Sequence, residues 1–387
     1  RLATDQEVLG STPSRRARTK FKGKKKMSDN DVKFSTIDDT NIKQLLKTIS
    51  KILTEKNSNT NLDLINKNWY WQYKNPSTGK SFVYAAWINN EIIGYYHIIT
   101  NNFIIDKKKF LIGNIQDVAI LEKYRGKGIF RRLAEFANNE INKHVDILYT
   151  FPNRASINTF LKYNNFKLIS SLPVYILPLK IQNIIRSKFK FFGLENIFNL
   201  PFKLYLKLKK NKLENLEKIV LINNFNDSIC DVFEKFNQLH SSYLLRNKEF
   251  LNWRYKESPK GNFYTFGLEK NNEINAVIIV KREKINKNEA FIIIDFAFKN
   301  SVKDLKKLLT NFCETSNKNF PLTPDFLILA GLSPYLKYIK KCGFISIPQF
   351  LIPRKIKLLT RSTRDTLKND DIKYASWLIT LGDWDIF

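Results

Sequence analysis

The sequence predicts an α+β protein in which two similar domains follow one another, each a mixed, mostly antiparallel sheet flanked by helices. Three observations carry this. The chain repeats itself in order. Each copy holds two strands joined by an Asn-Asn turn. Each copy then runs strand, helix, strand. The 387 residues suffice for two domains with full cores, and 43% hydrophobic and 13% aromatic residues mark a folding sequence.

The repeat is a series rather than a single match. Trp71-Gln72-Tyr73-Lys74 aligns with Trp253-Arg254-Tyr255-Lys256 at an offset of 182, and Asn89-Asn90-Glu91-Ile92 with Asn271-Asn272-Glu273-Ile274 at the same offset. Asp117-Val118-Ala119 meets Asp295-Phe296-Ala297 at 178, and Pro173 and Pro178 meet Pro348 and Pro353 at 175. A drift of a few residues is what loop changes produce.

The first copy opens with a helical stretch, Ile42 to Leu53. Alternating β-branched and aromatic residues predict strands over Ser81–Ile88 and Glu91–Thr100, with Asn89-Asn90 turning between them. A third strand, Phe110–Leu121, leads into a helix from Gly128 to Asn142, where Leu133, Phe136, Ala137 and Ile141 recur at helical spacing. A buried strand Val145–Phe151, a short helix Ser156–Tyr163 and a strand from Phe166 close the copy. The expected domains are residues 32–179, 217–357 for the second copy, a basic apolar linker 180–216 and a tail 358–387.

The net charge of +29 invites a nucleic-acid reading. Lys, Asn, Ile and Phe are abundant together, however, which looks like a composition bias, and no specific nucleic acid is expected as a partner. Residues 1–26 hold nine Lys/Arg against two acids, and Met27 is the single methionine. Residues 1–26 are therefore expected to be a non-native or disordered leader. Lys180 to Lys212 carries nine Lys/Arg and one acid among apolar residues. The simpler reading is a linker packed over the domain seam with lysines in water. The alternative is peripheral contact with an anionic membrane. Cys230, Cys313 and Cys342 are widely spaced and predict no disulfide framework, and a reducing, cytoplasmic setting. His97, His144 and His240 have no ligand spacing, so no metal is expected.

The sharpest motif is Lys123-Tyr124-Arg125-Gly126-Lys127-Gly128-Ile129-Phe130. It lies between a strand and a helix. Two glycines let successive N–H groups point into one concavity at a helix N-terminus, which suits a phosphate or pyrophosphate. Pro76 to Ser81 only mimics a phosphate loop, since Lys74 stands where its first glycine belongs.

The segment Gln116–Phe136 resembles the cofactor-binding motif of the GNAT superfamily of acetyltransferases, with Lys123 where the family usually has Gln or Arg. The resemblance implies acetyl-CoA as co-substrate. It implies that Val118 and Ile120 offer backbone hydrogen bonds to the pantetheine arm, and that Lys123, Arg125, Gly126, Lys127, Gly128 and Ile129 hold the pyrophosphate. It places Asn153 and Ser156 in a second cofactor segment. The second copy resembles the same fold without the loop, since Lys299 to Asp304 has no glycine. That copy is expected not to bind CoA productively.

The implied reaction is direct acyl transfer to a small amine, with positioning, oxyanion stabilisation and proton transfer as its parts. The family's usual tyrosine acid falls at Leu161, and Asn165 replaces its glycine, so Tyr163 is the substitute candidate. Asp117 is the first candidate base. Its counterpart Asp295 survives without the loop, which argues equally for a structural role. His97 is a lesser candidate. Asp383, Asp385 and the Phe387 carboxylate are acids that a tail entering the amine pocket would bring; an exposed tail is the alternative. An aminoacyl or longer-acyl transferase, and a non-catalytic CoA-binding protein, remain as alternative functions.

Overall fold

The computed structural model describes residues 31–55, 61–180, 204–205, 207–261, 263–285, 288–319, 324–352, 354–364 and 377–384, without the side chains of 313–319. The leader, Asp385, Phe387, the Cys313 side chain and most of the linker expected at 180–216 lie outside the described residues.

The first half runs β1 (Lys33–Thr36), α1 (Ile42–Thr54), α2 (Leu62–Trp69), β2 (Ser81–Ile88), β3 (Glu91–Ile105), β4 (Lys108–Ile120), α3 (Ile129–Ile141), β5 (Ile147–Thr150), α4 (Ile157–Tyr163), β6 (Lys167–Ser171) and β7 (Val174–Pro178). β1 to β4 form an antiparallel meander, and β5 adds parallel to β4. Asn89 and Asn90 take φ of 47° and 61°, the left-handed pair that a two-residue hairpin requires. Asp106 and Lys107 do the same at 45° and 69°. That second turn is not obvious from a lysine, so β3 and β4 are longer than the sequence predicts. Leu45, Ile49 and Ile52 of α1 and Leu133, Ala137 and Ile141 of α3 bury their apolar faces in one cluster with this sheet.

The second half runs β8 (Glu217–Ile222), α5 (Asp227–Asn237), β9 (Ser242–Leu244), α6 (Lys248–Leu251), β10 (Phe263–Lys270), β11 (Glu273–Ile285), β12 (Asn288–Phe298), α7 (Val302–Asn319), β13 (Phe326–Leu332), β14 (Ile345–Ile347), β15 (Lys357–Ser362) and β16 (Trp377–Thr380). β8, β10, β11 and β12 are antiparallel neighbours, and β13 joins β12 in parallel. Asn271 and Asn272 again turn at φ of 52° and 64°.

The halves exchange strands. β7 pairs with β13 and β14 in the second half. β15 inserts between β5 and β6 in the first. The expectation of a tail from residue 358 is corrected here: that stretch supplies β15 and β16, both built into sheets. Together the strands form one mixed, mostly antiparallel sheet flanked by helices.

Trp71 and Trp253 sit at the seam, each in a single π turn, Tyr70–Lys74 and Asn252–Lys256. Their rings stack at 4.7 Å between centroids. Trp71 Nε1–H donates to the Trp253 carbonyl at 2.9 Å, and Trp253 Nε1–H donates to the Trp71 carbonyl at 3.1 Å. Truncating either indole to alanine is expected to cost roughly 3–5 kcal/mol. A double-mutant cycle read by urea unfolding should return a coupling of about 1–3 kcal/mol, because one contact is removed twice. Strict additivity would show that the two indoles act independently.

Candidate active site

The site is built where β4 departs from regularity. His97 pairs with Gln116 and Tyr95 with Ala119, so β4 carries one residue too many, and Asp117 takes φ of 42° in the resulting bulge. Three side chains, Tyr73, His97 and, behind it, Trp69, secure this strained residue. Tyr73 Oη–H donates to Asp117 Oδ2 at 2.7 Å. Trp69 Nε1–H, a donor only, donates to His97 Nε2 at 3.0 Å, so the imidazole proton sits on Nδ1 and is given to the Asp117 carbonyl at 2.9 Å. The Tyr73 ring stacks on His97 at 4.2 Å.

This arrangement corrects the expectation that His97 serves as a base. The ring is fully buried and both nitrogens are engaged. Burial pushes its pKa down to about 4, against the opposing hydrogen bond to the Asp117 carbonyl. His97 is a neutral strut under the bulge.

Beyond the bulge the sheet opens. β4 and β5 pair only from Ile112↔Ile147 to Ile115↔Thr150, and Thr150 Oγ–H donates to the Ile115 carbonyl at 2.9 Å as the last rung. Gln116 to Ile120 then continue without a β5 partner. This split contains Asp117 and Val118 and leads directly to the glycine loop. The Ile120 carbonyl accepts from Arg125 Nε at 2.9 Å, which ties the loop back to the strand.

Gly126 and Gly128 take φ of 77° and 71°, and a Cβ at either would meet nothing within 4 Å. The glycines thus satisfy the backbone and leave the concavity open. α3 starts at Ile129 with no side-chain cap and no acid in its first turn. Arg131 and Arg132 stand there instead. Cations at a helix N-terminus oppose the macrodipole, so this arrangement suits an arriving anion. Lys123 and Lys127 lie over the Tyr124 ring at 4.7 and 5.6 Å, and Arg131 lies over the Tyr163 ring at 4.4 Å.

The remaining predicted residues fall elsewhere. Tyr163, half exposed, belongs with Arg131 beside the loop. Asn153 Oδ1 accepts from the Ala155 and Ser156 backbone N–H groups at 2.9 and 3.0 Å and from Ser156 Oγ at 3.2 Å, so both side chains shape the start of α4. Asn165, standing for the family's glycine, takes φ of 58°. Asp383 corrects the expectation of an acid in the amine pocket. It is buried, and its two carboxylate oxygens accept from Arg246 Nη2 at 3.0 Å each. Burial raises its pKa while Arg246 opposes the rise.

Asp383 belongs to a second split, between β12 and β13, whose ladder stops at Ile293↔Leu329. Here the chain fills its own cleft. Thr380 and Ile379 pair with Gly331 and Leu332, and the turn Leu381–Asp383 follows. A Cβ on Gly382 would lie 2.3 Å from Tyr255 Oη and 3.0 Å from Asp295 Oδ2. Arg246 Nε donates to Asp295 Oδ2 at 2.6 Å, and Tyr255 Oη–H donates to the same oxygen at 2.8 Å. Arg254 holds the carbonyls of Gly382 and Trp384 at 3.2 and 2.8 Å. Sequence reasoning missed Arg246 and Arg131. Tyr73 carried a signal, since Tyr255 repeats it.

Residues 33–163 match the family described as acetyltransferase (GNAT) domain. That stretch is a GNAT domain. No curated protein matches the chain significantly in sequence. Solved structures share the fold over most of the chain. A protein from Enterococcus faecalis described as a probable N-acyltransferase is 10% identical, over 86% of this chain and 72% of its own, with a TM-score of 0.60. A GCN5-related N-acetyltransferase from Anabaena variabilis is 12% identical over 86% and 73%, at 0.59. The N-myristoyltransferase of Saccharomyces cerevisiae with bound myristoyl-CoA is 14% identical over 91% and 90%, at 0.56. The likeness to these structures shows the fold of the chain.

His240 resembles His97 in being buried, which pushes its pKa down to about 4. The unfolded chain binds protons at both histidines below about pH 6.5, whereas the folded protein binds them only near 4. Their contribution is therefore complete above pH 6.5 and declines as the pH falls towards 4, by roughly 3 kcal/mol per histidine at the limit. In urea unfolding at about pH 7 and about pH 4.5, a His97→Gln variant, which cannot titrate there, should lose less stability than the wild type. Equal losses would assign the acid sensitivity to other groups.

Proposed function

We propose that the protein transfers an acetyl group from acetyl-CoA to a small amine, with the first half holding the cofactor and the second half shaping the amine pocket. The observation that carries this reading is the continuity of the split between β4 and β5 with the glycine loop: an apolar strand edge runs into an anion cradle at the α3 N-terminus. The backbone groups of Val118 and Ile120 would bind the pantetheine arm. The backbone of Gly126 to Ile129, with Lys123, Arg125, Lys127 and Arg131, would bind the pyrophosphate. Asn153 and Ser156 would contribute by fixing the α4 end of the cleft.

Asp117 is the proposed proton acceptor for the attacking amine. Tyr73 orients its carboxylate, and His97 holds its backbone. The same Tyr–Asp pair in the second half carries Arg246 on its oxygen and sits under Gly382. The position of Arg246 at the 182 offset is Leu64 in the first half. Tyr163 is the proposed donor to the departing thiolate.

A longer acyl group is the second reading, prompted by the whole-chain likeness to the yeast enzyme with myristoyl-CoA.

Calorimetric titration with acetyl-CoA tests the proposal. The wild type should bind, and a Gly126→Glu/Gly128→Glu variant should bind at least about tenfold more weakly, since two carboxylates replace the anion cradle. No binding of acetyl-CoA or CoA by the wild type would overturn the acetyltransferase reading. With an amine found by screening, Asp117→Asn should lower kcat by about 100-fold or more while leaving acetyl-CoA affinity unchanged. An unchanged kcat would return Asp117 to a structural role.

A further inference from the structure

The two π turns set equivalent side chains in equivalent places. Each turn is closed by the same bond: the Asn75 backbone N–H donates to the Tyr70 carbonyl at 2.9 Å, and the Glu257 N–H donates to the Asn252 carbonyl at 2.9 Å. Trp71 and Trp253 meet across the seam, and Tyr73 and Tyr255 reach Asp117 and Asp295. Between indole and phenol stand Gln72 in the first half and Arg254 in the second. Backbones that agree on both sides send the middle side chain the same way.

Arg254 shows where that way leads. It is buried, and its Nε donates to the Gly382 carbonyl at 3.2 Å while Nη2 donates to the Trp384 carbonyl at 2.8 Å. Gly382 lies against the Tyr–Asp pair, since a Cβ there would be 2.3 Å from Tyr255 Oη and 3.0 Å from Asp295 Oδ2. In the second cleft, then, the middle residue of the π turn holds a carbonyl beside the Tyr–Asp pair.

Gln72 is 2% exposed, and its Nε2 has no hydrogen-bond partner among the described residues. Leaving a buried donor unsatisfied costs roughly 1–3 kcal/mol. Such a group calls for a role that repays its burial. Glutamine Nε2 and arginine Nε stand the same number of bonds from Cα, so Gln72 can make the bond that Arg254 Nε makes.

We propose that Gln72 Nε2–H donates to the thioester carbonyl of the acyl-CoA, and so to the oxyanion that forms there. This role rests on the acetyl-CoA reading above, which brings the thioester carbon to an amine at Asp117. The amine nitrogen bonds to that carbon, and the carbonyl π pair moves onto oxygen, where Gln72 meets the charge. The pair then returns, the C–S bond breaks, and CoA departs as a thiolate that Tyr163 protonates. Asp117 takes the proton that the amine loses. A donor already fixed and out of water needs no reorganisation as the charge develops.

Infrared spectroscopy of the full chain with acetyl-CoA isotopically labelled at the carbonyl carbon reads this bond without any amine. The carbonyl band should move to lower frequency on binding to the wild type. It should move back toward its free position in Gln72→Leu and Gln72→Met, which lack the donor. Calorimetry on the same samples shows that acetyl-CoA is bound, and thermal unfolding that the variants are folded. With an amine found by screening, Gln72→Leu should lower kcat by about 100-fold while KM for the amine stays unchanged. Gln72→Arg, which restores a donor, should lower kcat less. A packing role alone would reverse that order, because leucine suits a buried site better than arginine. The proposal fails if bound acetyl-CoA shows no shift, or if the shift is the same in both donor-free variants. It fails too if Gln72→Leu impairs transfer only to amines that carry a carbonyl, which would assign Gln72 to the acceptor. A wild type that binds no acetyl-CoA would remove the acetyltransferase reading, and this role with it.

Discussion

The reciprocal indole contact between Trp71 and Trp253 sets the geometry of everything around it. Each indole lies in a π turn, and the residue two places on is a tyrosine whose hydroxyl reaches an aspartate, Tyr73 to Asp117 and Tyr255 to Asp295. Because each indole binds the other's backbone, neither π turn can rotate without moving its twin. The strained Asp117 carboxylate is thus held from a distance, through the seam, rather than by its own strand alone. Strain of this kind persists only where the surroundings over-determine it.

The two clefts show one architecture in two electrical conditions. In the first half the split between β4 and β5 ends at a loop rich in cations and glycine, with an uncapped helix behind it. In the second half Arg246 bridges Asp295 and Asp383, and the segment Trp377–Trp384 occupies the space. Removing two carboxylates and a guanidinium from water is costly unless each is fully hydrogen-bonded, and here they are. Such a lock adds a sharply defined arrangement rather than an easy gain in stability. It also fixes a segment that touches both clefts, since the Asp383 carbonyl accepts from Asn114 and Tyr149 and the Trp384 ring lies 5.6 Å from Phe151.

Local chemistry was legible in the sequence, and distant partnership was not. The Asn-Asn turns, the helix carrying Leu133 and Ile141, and the glycine loop each depend on residues a few places apart, so their patterns sufficed. The bulge at Asp117 could not be read, because an aspartate with positive φ looks like any other aspartate in a strand. His97 looked like a candidate base because a sequence does not show that Trp69 fills its lone pair. Residues 358–362 read as a tail because a short strand pattern carries no sign of its neighbours, and its neighbours lie some 200 residues earlier.

The exchange of β7 and β15 also bears on how the chain comes into being. The first half contains the glycine loop and Asp117 with Tyr73, His97 and Trp69, yet the gap between β5 and β6 stays open until Lys357–Ser362 has left the ribosome. A nascent first half must therefore carry two unpaired strand edges through the synthesis of nearly the whole second half, a condition that favours adhesion to other chains. The same exchange makes the halves inseparable as units of inheritance. A gene fragment encoding the first half alone would specify a sheet with a strand missing, since β15 comes from the second.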